Sequence, residues 1–267
     1  MNEQSAPVAT SDQAGAVRWS EQVERGRYDL AAQAYRLSGG ADAGLENALE
    51  GLSDVLSAVR DKSYGRARNA LERITERPEG LDWEALESDL EGLSEAAAAL
   101  DRREAEVARS HLAGVDGQVY PAETATLLGT LAVYEGESET ARQRFEQALE
   151  LDPNHYRALT NLGNIMLEDG DVDGAIDAYE RAIRLNDAFA NAHHNLGVAL
   201  RRKGHLARSV QALKRAQREA GRREADEARA RLGSGRRGQS AVGRARNFRW
   251  LIWAGIVGAV IWIVSTR

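Results

Sequence analysis

An all-α solenoid of stacked helical hairpins is the fold class this 267-residue chain predicts, and three observations carry it. Gly129, Gly163 and Gly197 stand 34 residues apart, each directly after Leu128, Leu162 or Leu196. Gly136, Gly170 and Gly204 keep the same step, as do Ala148, Ala182 and Ala216. Ala141 and Ala175 continue to Ser209, while Phe145 and Tyr179 continue to Leu213. A strict period in this range marks a repeat array and not a closed globule.

The interior of one unit says what is repeated. Leu159, Leu162 and Met166 share one helical stripe, and Ala175, Tyr179, Ala182 and Ile183 share another. Gly170 falls between the two stripes, which makes the unit a helical hairpin with a short turn. Gly163 and Ala175 lack bulk and let the paired helices approach, while Tyr179 fills the space beside them. A single hairpin cannot bury its apolar stripe alone, so successive hairpins must stack.

Three motif sets recur in order: Leu128-Gly129, Ala141-x3-Phe145 and Pro153; Leu162-Gly163 and Ala175-x3-Tyr179; Leu196-Gly197 and Ser209-x3-Leu213. The pattern resembles the tetratricopeptide repeat family. The early Trp of that family is replaced by Ala125, Leu159 and His193, and its terminal Pro survives once, with Asp187 and Gly221 at the later positions. The resemblance implies a concave groove lined by the first helix of each hairpin, with a protein or peptide as partner. Its lining positions here are Glu123, Thr126, Thr130, Arg157, Thr160, Asn164, Asn191, His194, Val198 and Arg201. Some relatives clamp a terminal carboxylate with Lys, Asn and Arg on successive first helices. Thr160, Asn164 and Asn195 suit that only in part, and no Lys lines the groove, so the clamp is not assigned. Arg157, Asn164 and Arg201 instead point to an acidic or extended peptide held by charge-assisted hydrogen bonds.

Charge is unevenly spread. Residues 201–267 hold 17 Lys and Arg against 4 Asp and Glu, leaving 18 against 37 in residues 1–200. An acidic body argues against nucleic-acid binding. With no cysteine there is neither a disulfide nor a thiolate site. Only Lys62, Lys203 and Lys214 supplement the arginines, a bias that points to a GC-rich bacterial genome.

Taken in order, residues 1–15 read as a disordered arm without the apolar core of a secretory signal. Residues 16–112 read as degenerate repeats. Gly26 through Ala31-x3-Tyr35 gives the second half of one unit, and Ala67-x3-Leu71 gives another after a helix from about Leu45 to Val59. A third pair spans Trp83 to Ala99 and Asp101 to Leu112, with Ala105 in the small-residue register and Arg109 in the aromatic place. Six hairpins are therefore expected, three of them degenerate; the alternative is a helical bundle packed on three true repeats. Residues 113–121 contain Gly114, Gly117 and Pro121 and read as a loop dividing two subdomains. The strict repeats fill 122–223, a capping helix is expected at 224–232, and a basic flexible linker at 233–249.

The stretch 250–266 reads as a transmembrane helix. Trp250–Val264 is 15 uncharged, mostly large apolar residues, and Ser265 and Thr266 extend the span to about 25 Å. Trp250, Trp253 and Trp262 lie near its ends, and Arg249 and Arg267 flank it. Gly255 and Gly258, with Ala259 and Ala254, form small-x3-small pairs that permit a homodimer. Arg236, Arg237, Arg244, Arg246 and Arg249 precede the helix and predict a single-pass, tail-anchored protein with its repeats in the cytoplasm, at a bacterial inner membrane. The same arginines could rest on anionic lipid.

No catalytic constellation emerges, and no enzyme, cofactor or metal is expected. His193 and His194 are adjacent and so point in different directions on a helix, with no further ligand at i+4. The acidic run Glu135–Glu139 reads as solvated surface, and Gly-x-Gly strings after a helix are not phosphate loops. The function expected is a membrane-tethered scaffold or adaptor that recruits partner proteins. A subunit or assembly factor of a membrane complex, and a lipid-responsive organiser acting through the basic linker, are the alternatives.

Overall fold

The computed structural model describes residues 18–237, and every described element is a helix or a connection between helices. Twelve helices follow in order: α1 (Trp19–Glu24), α2 (Tyr28–Leu37), α3 (Ala43–Arg60), α4 (Tyr64–Glu72), α5 (Trp83–Asp101), α6 (Ala105–Ala113), α7 (Pro121–Glu135), α8 (Ser138–Leu151), α9 (Tyr156–Glu168), α10 (Val172–Leu185), α11 (Ala190–Arg202) and α12 (Leu206–Arg237). They pair consecutively into six helical hairpins. The arm at 1–15, the later part of the basic linker and the apolar stretch 250–266 lie outside the described residues. No described helix is long and apolar enough to cross a membrane.

One backbone feature recurs in all six hairpins. Between the paired helices stands a single residue with left-handed φ: Gly26, Lys62, Arg103, Gly136, Gly170 and Gly204, at 64°, 55°, 60°, 79°, 90° and 90°. Five residues beyond each lies a buried small side chain, namely Ala31, Ala67, Ala108, Ala141, Ala175 and Ser209. Nine beyond each come Tyr35, Leu71, Leu112, Phe145 and Tyr179, all buried, and then the half-buried Leu213. The third hairpin's register is therefore Ala108-x3-Leu112. The expected Ala105 is only partly buried, and Arg109 points outward to Glu106 and Glu135. Arg103 in a turn position that elsewhere favours Gly conceals this offset.

The close approach inferred from the strict glycines is visible. A Cβ on Gly129 would lie 2.6 Å from the Phe145 ring, on Gly163 2.7 Å from the Tyr179 ring, and on Gly197 2.7 Å from Leu213. Each first helix thus leaves a notch that the second helix fills. In the sixth hairpin the replacement of Ala by Ser209 is accommodated because its Oγ donates to the Gly197 carbonyl at 2.6 Å.

Residues 114–120 do not part the chain into two subdomains. Asp89 accepts from the amides of Asp116 and Gly117 at 3.0 and 3.1 Å, and Tyr120, fully buried, donates to the Leu86 carbonyl. One continuous core runs from Tyr28 in α2 through α3, α4, α5 and α6 to Leu127 and Leu131 in α7. The chain divides instead within α12, at Ala216 and Gln217. The capping helix expected at 224–232 and the start of the linker at 233 are one unbroken helix to Arg237. Gly221 lies between Ala220 and Arg222, and Gly233 and Gly235 flank Ser234 within the last turns; about 1 kcal/mol for each does not end the helix before Arg237. Beyond Gln217 that helix carries the i,i+3 pairs Glu219–Arg222 and Asp226–Arg229.

Candidate protein-binding face

The period places Glu123, Arg157 and Asn191 at equivalent positions of α7, α9 and α11, and likewise Thr126, Thr160 and His194, and Thr130, Asn164 and Val198. The structure divides these residues into a sealed part and an open part. Glu123, Thr126 and Thr160 are buried and line no surface. Thr126 and Thr160 turn their hydroxyls back to the carbonyls of Ala122 and Tyr156, at 2.8 and 2.9 Å. Thr130, partly buried, does the same to Thr126.

What seals this end is the second hairpin. Tyr64, the first residue of α4, donates its hydroxyl to Glu123 Oε1 at 2.6 Å. Arg157 Nη1 bridges both carboxylate oxygens of Glu123 at 2.9 and 3.0 Å. His155 completes the set. Its Nδ1 accepts from the Ala158 amide and caps α9, so its proton sits on Nε2 and is donated to Glu123 Oε2 at 3.1 Å. Burial alone raises the carboxyl pKa, but the Arg157 charge, with the His155 and Tyr64 hydrogen bonds, overrides it and holds Glu123 down at about 2. Arg157 is correspondingly pushed up: burial opposes its charge, and Glu123 more than compensates. It is therefore spent within the fold and is not a free anchor for a peptide.

Neighbouring contacts reinforce the seal. Asp61 accepts from the Tyr156 hydroxyl at 2.8 Å, and Arg60 pairs with Asp152 at 2.7 Å. Arg27 donates to the Leu151 and Glu150 carbonyls, both at 2.8 Å, placing a cation on the C-terminal end of α8 where the helix dipole favours it. The sequence carried one signal for this cluster: opposite charges, Glu123 and Arg157, one period apart. Tyr64 and His155 gave none, since their roles depend on elements far away in the chain.

The open part lies on α9 and α11. Asn195 Nδ2 donates to Asn164 Oδ1 at 2.7 Å, and the Tyr179 hydroxyl donates to the same oxygen at 2.8 Å. That fixes a row of amides across two first helices. Asn191, His194 and Arg201 are exposed beside it and Val198 is half-buried. His193 is buried and bonds the Asp187 carbonyl through Nε2 at 2.8 Å, apart from His194. Among the described residues no group of three or more His, Asp or Glu could hold a metal ion. Arg236 and Arg237 are the last residues of α12; Arg244, Arg246 and Arg249, with Trp250, Trp253, Gly255, Gly258 and Trp262, lie outside the described residues.

Stacked hairpins with a polar, partly exposed row on adjoining first helices define a helical-repeat module. Residues 126–192 and 167–225 match the family model of the tetratricopeptide repeat. A crystal structure of MamA is 20% identical, covers 69% of this chain and 98% of its own, and superposes with a TM-score of 0.42. MamA 41-end from Desulfovibrio magneticus RS-1 is 16% identical, with 65% and 94% covered and a TM-score of 0.40. No curated protein matches this chain in sequence.

Proposed function

We propose that the chain is a protein-interaction scaffold whose α9–α11 face docks an extended segment of a partner protein at a membrane. The observation that carries the reading is the pre-set amide row: Asn164 and Asn195 already hold each other, so their remaining hydrogen-bonding capacity is offered in a fixed orientation at little entropic cost. A peptide backbone supplies the matching donors and acceptors, and exposed Arg201 suits an acidic side chain at one end of the row. The match of residues 126–225 to the tetratricopeptide repeat supports a binding role over a catalytic one. Tethering rests on sequence: the apolar stretch 250–266, its terminal tryptophans and the arginines before it suit a single crossing with the repeats on the cytoplasmic side.

Proximity labelling in the native host tests the face, comparing wild type with Asn191→Ala/His194→Ala/Arg201→Ala. All three side chains are exposed, so folding is retained. Loss of specific neighbours is expected; an unchanged set rejects the face. Alkaline carbonate extraction tests the tether, with the chain expected in the pellet.

A further inference from the structure

The fifth and sixth hairpins are near copies in backbone and opposites in charge. Residues 167–182 hold six Asp and Glu and one Arg; the equivalent residues 201–216 hold six Lys and Arg and no acid. The two sets meet across the seam between the hairpins. Lys203 pairs with Asp173, Arg208 pairs with Glu180 at 2.7 Å, and Arg202 donates to the Leu167 carbonyl at the end of α9.

The same seam shows what each second helix needs on its outer side. In α10, Ile176 shares a core with Leu196 and Leu200 of α11 and is 7% exposed, with Val172 packed against that core. One period on, Leu206 and Val210 occupy the positions of Val172 and Ile176 on α12, and they are 64% and 50% exposed. Isolated exposed apolar residues are ordinary. These two lie one turn apart on a single stripe whose counterparts the array buries. Beside them the charge is reversed: Glu180, which receives Arg208, is replaced by exposed Lys214.

We infer that the outer face of α12 around Leu206, Val210 and Lys214 docks an acidic amphipathic helix of a partner protein. The occupant's apolar stripe meets Leu206 and Val210 as α11 meets Val172 and Ile176, and a carboxylate placed as His193 of α11 is placed beside Glu180 meets Lys214. Exposed Lys214, standing where α10 carries an acid, favours an acidic helix and disfavours a basic one. The site is separate from the α9–α11 face, and neither requires the other.

The full-length chain serves for the test, with two labelled, hydrocarbon-stapled peptides as probes. Both copy residues 190–202, the segment that covers α10; one carries His193→Glu, Arg201→Glu and Arg202→Glu, and the other is unchanged. Fluorescence anisotropy should show saturable binding of the acidic peptide and roughly tenfold weaker binding of the basic one. Val210→Asp should weaken the acidic peptide by about tenfold or more, since it would bury an unpaired charge. Lys214→Glu should reverse the preference between the two. Asn191→Ala/His194→Ala should leave acidic-peptide binding unchanged, which distinguishes this site from the amide row. Equal affinity for the two peptides, or binding indifferent to Val210→Asp, overturns the inference. So does an absence of binding, whether a photo-crosslinker placed at position 210 then captures residues 238–267 of the same chain, a second copy, or nothing.

Discussion

Hairpins one to three and hairpins four to six share a plan but are held together differently. The first three lack the 34-residue spacing, yet their helices join α7 in one continuous core. They also reach far along the chain, with Arg27, Tyr28, Arg60, Asp61 and Tyr64 contacting residues between 119 and 156. The later three keep the spacing and divide their apolar residues among small clusters, each confined to adjoining helices. Ion pairs among the described residues there link neighbours, as in Arg142–Asp169 and Arg208–Glu180. Regular spacing is what an array needs when neighbours alone support one another. Where long-range ties supply the support, the spacing is free to drift.

The largest effects should come from breaking each kind of support in turn. Glu123→Ala strands the buried Arg157 charge and should cost about 3–5 kcal/mol. Because it cuts a tie between halves, hydrogen exchange should show hairpins one to three opening separately from four to six. Retention of a single opening unit would show that the tie is dispensable. Tyr179→Ala empties the notch at Gly163 and should cost a similar ~3–5 kcal/mol. Its added exchange should be confined to α9 through α12; spread into α3 or α4 would contradict nearest-neighbour support.

Acid should act on the tie before the array. Glu123 has a folded pKa of about 2 against an ordinary value of 4.5, so its protons bind more readily in the unfolded chain. Its contribution is fully present above about pH 4.5 and is lost as pH falls toward 2. The wild type should lose stability over that window more steeply than Glu123→Gln in matched urea titrations. Parallel slopes would remove Glu123 as the acid-sensitive group.

Smaller effects should follow from the turns. Arg103→Gly relieves a left-handed side-chain residue and should add about 1 kcal/mol, while Gly170→Ala should subtract about the same. Thermal melts that move both variants downward would mean that Arg103 is held by something other than turn geometry. Least of all, Arg142→Ala should cost under about 1 kcal/mol, because its bridge to Asp169 lies at the surface.

The later hairpins were legible because Gly, Ala and aromatic residues mark turn, approach and filling at fixed distances. The third was misregistered for a local reason: Lys62 and Arg103 occupy turn positions that only the backbone reveals, and the Ala-rich segment around Ala96 to Ala108 offers several equivalent choices. The groove was half legible. Equivalent positions were found, but Glu123 is met by Tyr64 of α4, more than fifty residues upstream, and no period records that. The end of α12 was read as a linker because glycines were weighed singly, without the helix-favouring residues around them.

The guanidinium of Arg27 on the last carbonyls of α8 has a consequence for synthesis. While a ribosome has emitted only the first hundred residues, Arg27, Arg60 and Tyr64 have helices to stand on but nothing to hold. Their partners leave the exit tunnel later, between Glu123 and Asp152. The opening hairpins therefore wait for the fourth and the start of the fifth, and the amino-terminal half of this chain is completed from behind.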